Sequence, residues 1–99
     1  MELGGKDCAY IAKDADPKAA AEGALDGALY NAGQSCCAIE RIYVQEEVYD
    51  DFLHHAEQIV KSYVLGDPLV ETTNMGPLTD LNAPSTLSDR VTAACENGA

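Results

Sequence analysis

Two short strand-like segments on either side of a helical one limit the folds that this chain can adopt. The first is an apolar run at residues 8–12 (CAYIA), and the second, at residues 39–44 (IERIYV), is rich in β-branched and aromatic side chains. Between them, Asp16 followed by Pro17 predicts a helix start. Aspartate accepts hydrogen bonds from the free amides of the first turn, and the amide hydrogen that proline lacks would have no partner within the helix at the first position. The order strand, helix, strand predicts a βαβ unit with two parallel strands.

The first helix is expected to run from residue 17 to about residue 30, with an apolar stripe repeating every four residues. Gly23 and Gly27 lie one turn apart in it, although glycine costs about 1 kcal/mol relative to alanine inside a helix. This pair predicts close packing of another backbone. Gly33 is expected to end the helix as a residue in the left-handed conformation.

A second helix is predicted at residues 46–64 from apolar residues at helical spacing; these are Val48, Phe52, Ala56, Ile59, Val60 and Tyr63. Residues 65–78 contain two glycines and two prolines without periodicity, which predicts an ordered surface loop. A last helix with Pro84 in its first turn is expected to end at Asn97 and Gly98.

The length of 99 residues allows one small domain at most. Two parallel strands make too small a sheet, because a parallel sheet needs further strands beside it and helices on both faces. The sequence therefore predicts an α/β fragment that exposes apolar surface and forms part of a larger domain.

Six basic and seventeen acidic residues give a formal net charge of −11. This charge disfavours nucleic acid and anionic membranes as partners, because both carry negative phosphates. The sequence contains no apolar run near the ~20 residues of a membrane span, and it does not begin like an export signal. With few cysteines as well, we expect a soluble protein in the reducing cytoplasm.

The four cysteines do not have the spacing of a zinc site, since Cys36 and Cys37 are adjacent and Cys8 and Cys95 are isolated. The neighbouring His54 and His55 point about 100° apart on a helix and cannot share a metal. The carboxylates at residues 46–51 are expected to form a hydrated helix face. We therefore expect no metal.

The cysteine pair lies where the first helix stops and the second strand begins, a position that suits a nucleophile. Adjacent residues entering a strand point to opposite faces, so one thiol is expected to meet a substrate while the other packs into the core. The residues alone do not say which. Two small buried side chains are an alternative interpretation, and the negative end of the helix would raise a thiol pKa rather than lower it.

Five motifs in this order and spacing resemble the aldehyde dehydrogenase superfamily: ELGGK at residues 2–6, GQSCCAIERIYV at 33–44, YDDF at 49–52, LGDP at 65–68 and MGPL at 75–78. The resemblance covers nearly all of the chain up to residue 78. It is weaker at residues 79–90, where Pro84 is unusual, and the terminal ENGA is again familiar. It implies a fragment from the start of a catalytic domain, residues 1–99, within an α/β enzyme.

The resemblance implies that Cys36 is the nucleophile and Glu2 the general base of an NAD- or NADP-dependent oxidation of a small-molecule aldehyde to an acid. Leu3 and Gly4 would then lie beside the nicotinamide, and Cys37 would be a packing partner. Lys6 is expected to form a local ion pair.

The resemblance also implies that the phosphate-binding loop, the oxyanion-hole amide and the oligomerisation arm belong to other segments of a homo-oligomeric parent. The isolated chain is then expected to be inactive. Two alternatives stay open: a non-catalytic remnant or interaction module of the family, and a redox sensor using Cys36 and Cys37. Adjacent cysteines close a strained disulfide ring, which disfavours the sensor.

Overall fold

The computed structural model of the chain describes residue 1 and residues 3–99. Its elements are, in chain order, β1 (Asp7–Ile11), α1 (Pro17–Leu29), β2 (Ile39–Val44), α2 (Glu46–Ser62) and α3 (Ala83–Glu96). All five predicted elements are present. Strand β2 has the predicted bounds, β1 lies one residue earlier than predicted, and α1 and α2 end slightly before the predicted positions.

The two strands form a parallel pair, which confirms the predicted βαβ unit. Cys8 lies opposite Arg41 and Tyr10 opposite Tyr43, with a register shift between Asp7 and Cys8. Because the strands are parallel, the segments that precede them lead into the sheet at the same edge.

Helix α1 begins as the sequence predicts. The Asp16 carboxylate accepts a hydrogen bond of 2.8 Å from the amide of Ala19, and Pro17 occupies the first turn. A cap of this type contributes about 1 kcal/mol to helix stability.

The chain leaves α1 through three successive residues with positive φ: Asn31 at 51°, Ala32 at 56° and Gly33 at 73°. The prediction for Gly33 is confirmed, but the left-handed turn starts two residues earlier. This conformation costs non-glycine residues roughly 1–2 kcal/mol each, so other contacts must hold Ala32 in it. Asn31 helps by donating from its side-chain amide to the Gln34 carbonyl at 3.1 Å.

The core lies where α1 and α2 pack against each other and against one face of the sheet. Its buried members are Ile11, Ala21, Ala24, Leu25, Val48, Phe52 and Ala56. On the opposite face of the sheet, Tyr10 is 65% exposed and Tyr43 is 50% exposed. The two strands therefore bury one face only, as expected for part of a larger α/β domain.

The prediction of close backbone packing at the two helix glycines is wrong. A Cβ at Gly23 would meet no atom of the described residues within 4 Å, and a Cβ at Gly27 would meet a side chain, lying 2.8 Å from Cδ1 of Ile39. Gly27 thus makes room for the first residue of β2, whereas Gly23 faces open space.

Helix α3 is exposed apart from the half-buried Ala83, and Leu87 and Val91 are among its exposed apolar residues. Among the described residues, none of the helices has both the length and the apolar character needed to cross a membrane.

The isolated 99-residue chain should melt without a sharp cooperative transition and should bind a hydrophobic dye. The reason is that its buried core is small while apolar side chains on the sheet and on α2 and α3 face solvent. Differential scanning calorimetry and dye fluorescence would measure this. A sharp melt of a monomer that binds no dye would contradict it.

Candidate active site

Both sequence motifs lie at one edge of the sheet. The glycine pair Gly4 and Gly5 is separated from β1 by Lys6 alone, and the cysteine loop, residues 34–38, directly precedes β2. Parallel pairing of the strands places these two segments side by side although they are about 30 residues apart in sequence.

The glycine pair and the cysteine loop touch through their backbones. A Cβ built on Gly5 would lie 1.6 Å from the carbonyl oxygen of Cys36 and 2.8 Å from its carbonyl carbon. Real Cβ atoms do not approach backbone so closely, so this position requires glycine. The second glycine of the LGGK motif thus lets the first segment lie directly against the cysteine loop.

The predicted base, Glu2, lies outside the described residues. Its neighbour Leu3 is 81% exposed, and Gly4 has a φ of +80°. A Cβ at Gly4 would meet no described atom within 4 Å. Among the described residues, the chain therefore leaves room at Gly4 for a flat group lying against it.

Lys6 forms an ion pair with Glu40, so it is paired as expected, but the expectation of a local partner is wrong. The partner lies on β2 rather than nearby in sequence. Because Lys6 is largely exposed, the pair contributes little to stability, but it joins the segment before β1 to β2.

The prediction that one of the two cysteines packs into the core is wrong, because Cys36 and Cys37 are both exposed in the described chain. The strand begins only at Ile39, so the two cysteines lie on a turn closed by a hydrogen bond of 3.2 Å from the Ala38 amide to the Ser35 carbonyl. Strand alternation does not apply there. The residue that packs inward is Ala38, which is 3% exposed.

Cys37 belongs to a polar cluster with Tyr30 and Ser35 that the sequence interpretation missed. Its sulfur lies 3.3 Å from the hydroxyl of Tyr30 and 3.3 Å from that of Ser35, and the two hydroxyls hydrogen-bond each other. Hydrogen bonding by Ser35, and then by Tyr30, lowers the pKa of Cys37, while the bond to Cys37 raises the pKa of Tyr30. The left-handed turn makes the cluster possible by returning the chain to Tyr30.

Gln34 is a second residue that the sequence interpretation missed. Its side-chain amide donates to the carbonyls of Asn31 at 2.9 Å and Pro77 at 3.4 Å, and its side-chain oxygen accepts from the amide of Thr79 at 2.8 Å. It therefore joins the cysteine loop to the MGPL motif, at Pro77, and to the residue that follows the motif, Thr79. The close spacing of Asn31 and Gln34 gives a hint of the local bonds, but the distant partner has no local signal.

The described histidines and carboxylates of α2 do not form a metal-binding cluster. His54 is exposed, and its Nε2 lies 2.8 Å from the side-chain amide nitrogen of Gln58. The His54 ring contacts the His55 ring edge to face. Among residues 1 and 3–99, there is no group of three or more histidine, cysteine or acidic side chains that could hold a metal ion.

Comparison with known proteins identifies the class of the chain. The sequence model of the aldehyde dehydrogenase family matches residues 1–99. Aldehyde dehydrogenase 1A1 of Rattus norvegicus is 39% identical over 99 residues, all of this chain and 20% of the relative, and that of Homo sapiens is 36% identical over the same shares. The chain belongs to the aldehyde dehydrogenase family and spans about a fifth of the length of these relatives.

Comparison with solved structures agrees with this family assignment. An NAD-dependent aldehyde dehydrogenase from Sinorhizobium meliloti matches 98% of this chain, and 19% of its own, with a TM-score of 0.89 and 36% identity. An NADP-dependent enzyme of E. coli matches 98% of this chain, and 20% of its own, with a TM-score of 0.88 and 38% identity. The two strands and three helices therefore have the arrangement found within those larger chains.

Gly5→Ala in the full-length protein should destabilise the contact between the two motifs by about 1–3 kcal/mol, because the added methyl cannot coexist with the Cys36 carbonyl. The melting temperature should fall and the alkylation rate of Cys36 should change. Gly23→Ala is the matched control, since its methyl meets open space and the helix gains propensity. Equal behaviour of the two variants would contradict the close contact.

Ser35→Ala should raise the pKa of Cys37, because the hydroxyl that most strongly lowers it is lost. Less thiolate is then present near neutral pH, and alkylation of Cys37 should slow there but recover at high pH. The rate is measured against pH by peptide mapping in a Cys36→Ser background. An unchanged profile would show that Ser35 does not stabilise the thiolate.

Proposed function

We propose that residues 1–99 are part of the catalytic domain of an NAD- or NADP-dependent aldehyde dehydrogenase, and that they carry its nucleophile and general base. The observation that carries the proposal is the backbone contact between Gly5 and Cys36, which joins the ELGGK and GQSC motifs at one edge of the sheet. Family membership and the cofactors named for the structural relatives support it.

Cys36 is the proposed nucleophile. It is exposed on a turn that precedes β2, where a substrate can reach it. Its thiolate sulfur forms a bond to the aldehyde carbon, whose carbonyl oxygen takes the electron pair and becomes an oxyanion. The oxyanion then re-forms its carbonyl as the hydrogen on that carbon leaves with its electron pair, so a thioester on Cys36 remains. The assignment to Cys36 rests on the GQSC motif. Burial does not distinguish the two cysteines, because Cys37 is exposed as well.

The residues present fit a nicotinamide cofactor. The space where a Cβ of Gly4 would meet no described atom, and the exposure of Leu3, suit a flat ring lying close to the chain. When bound, NAD(P) accepts the hydride. Leu3 and Gly4 would hold the ring near the sulfur, while the phosphates would be bound by other segments of the full-length protein.

Glu2 is the proposed general base. It precedes Leu3 directly in the sequence and lies three residues before Gly5, which contacts the cysteine loop. A carboxylate there takes a proton from water as the water oxygen attacks the thioester carbon. The carbon–sulfur bond then breaks, the acid leaves, and the Cys36 thiolate is restored.

The full-length protein is proposed to act on a small-molecule aldehyde as a homo-oligomer in the cytoplasm, and the isolated 99 residues are proposed to be inactive. A phosphate site and an oxyanion-hole amide are required for turnover, and the family resemblance assigns both to other segments. A non-catalytic remnant or interaction module would share the fold but give no turnover in the full-length protein.

Glu2→Gln in the full-length protein should separate acylation from deacylation. The substitution keeps the shape of the side chain but removes the proton acceptor, so a burst of about one reduced cofactor per site should precede turnover slowed about 10²-fold or more. Stopped-flow absorbance measures both phases. Cys36→Ser is the control that should remove burst and turnover together.

An unchanged steady-state rate in Glu2→Gln would show that Glu2 is not the base. Normal turnover in Cys36→Ser would overturn the whole mechanism. A wild-type protein that reduces neither cofactor with a panel of aldehydes would favour the remnant instead.

A further inference from the structure

We propose that Gln34 is a positioning residue that sets where Cys36 stands by clamping the cysteine loop to residues 77–79, at the end of the MGPL motif. The inference rests on the proposed function of Cys36 and adds a residue that does not touch the reacting atoms. It is carried by the three side-chain contacts of Gln34.

The clamp uses both ends of the Gln34 amide. The nitrogen donates to two carbonyls, those of Asn31 and Pro77, while the oxygen accepts from the Thr79 amide. Carbonyls need a donor and a backbone amide needs an acceptor, so only an amide side chain of this length satisfies all three. A carboxylate would keep the Thr79 bond but place negative charge against two carbonyls.

The loop on the cysteine side needs such a support. It follows a turn in which Asn31 and Ala32 hold the unfavourable positive φ, and Ala32 lines an open apolar cavity of about 620 Å³. Within the described residues, one side of the turn therefore lacks tight packing. The backbone amide of Gln34 also donates to the Asn31 carbonyl at 3.1 Å, so the side chain reinforces a bond that already closes the turn.

The other side of the clamp is a hydrogen-bonded segment. Asn74 accepts from the Val64 amide at 2.6 Å, and the Gly66 amide donates to the Met75 carbonyl at 3.1 Å. These bonds close the segment after α2 on itself, joining residues 64 and 66 to residues 74 and 75. Pro77 and Thr79 follow directly, so Gln34 connects the cysteine loop to a segment that its own hydrogen bonds hold together.

Gln34 precedes Cys36 by two residues, and a shift of its backbone moves the sulfur. Misplacement of a reacting group by about 1 Å can cost about 10²-fold in rate. Loss of the clamp should therefore slow attack on the aldehyde. It should leave cofactor affinity unchanged, because Gln34 is not among the residues assigned to the ring.

The test uses Gln34→Met in the full-length protein, which keeps the side-chain length and removes the hydrogen bonds. The rate constant of the burst should fall about 10- to 100-fold, with an unchanged dissociation constant for the cofactor. A purely structural role would reduce the burst amplitude and the melting temperature but leave the rate constant of the folded fraction unchanged. Gln58→Met, on the exposed face of α2, is the matched control and should change neither quantity.

Gln34→Glu supplies a second signature. At high pH its carboxylate lacks a donor for the two carbonyls, and at low pH the protonated carboxyl regains one while its other oxygen still accepts from Thr79. The ratio of its burst rate to that of the wild type should rise as pH falls. A pH-independent ratio would contradict the clamp.

Alkylation of Cys36 by iodoacetamide tests the clamp apart from the activity. Gln34→Met should change the alkylation rate at least about fivefold, whereas Gln58→Met should not. If the wild type gave no burst but alkylation still responded to Gln34, the proposed function would fail and the clamp would stand. Unchanged alkylation and an unchanged burst rate constant in Gln34→Met would overturn the inference.

Discussion

The parallel pairing of β1 and β2 is the constraint on which the candidate site depends. In a parallel pair both strands start at the same edge, so the segments that precede them become neighbours. Residues 3–6 and residues 34–38 are those segments. An antiparallel pairing of the same strands would put the two motifs at opposite ends of the sheet, and no contact between Gly5 and Cys36 would form.

Three features then define the cysteine loop within this frame. Gly5 allows backbone contact with Cys36, the left-handed turn returns the chain towards Tyr30, and the Gln34 side chain ties the loop to Pro77 and Thr79. Each is a backbone or amide contact, with no large buried side chain at the loop. The contacts that place Cys36 are therefore hydrogen bonds and close packing of the main chain. Hydrogen bonds are directional and tolerate little displacement.

The exposed apolar surface has a physical explanation in the size of the chain. A βαβ unit with two strands covers one sheet face with α1 and α2 and leaves Tyr10 and Tyr43 on the other. The matching aldehyde dehydrogenases are about five times longer, and the chain aligns with them along nearly its whole length. In such a larger protein, further strands and helices can bury this face.

Local signals in the sequence were sufficient to predict the strands and helices and to recognise the Gly-Gly and Gly-Gln-Ser-Cys motifs. Asp16 and Pro17 mark the start of α1 because capping involves residues within one turn, and the β-branched run gives β2 its bounds because its preference is local. The βαβ order then implies parallel strands, and the Gly-Gly and Gly-Gln-Ser-Cys motifs imply the family. The glycine pair of α1 misled the interpretation, since neither spacing nor propensity shows what faces a helix.

The orientation of the two cysteines was decided by the tertiary structure, because β2 starts two residues after Cys37 and the alternation of a strand does not reach it. The same holds for the hydrogen bonds of Cys37 to Tyr30 and Ser35 and for those of Gln34 to residues 77–79. A pattern of residue types records which groups can bond. Which of them meet depends on how the left-handed turn and the loop after α2 bring distant segments of backbone together.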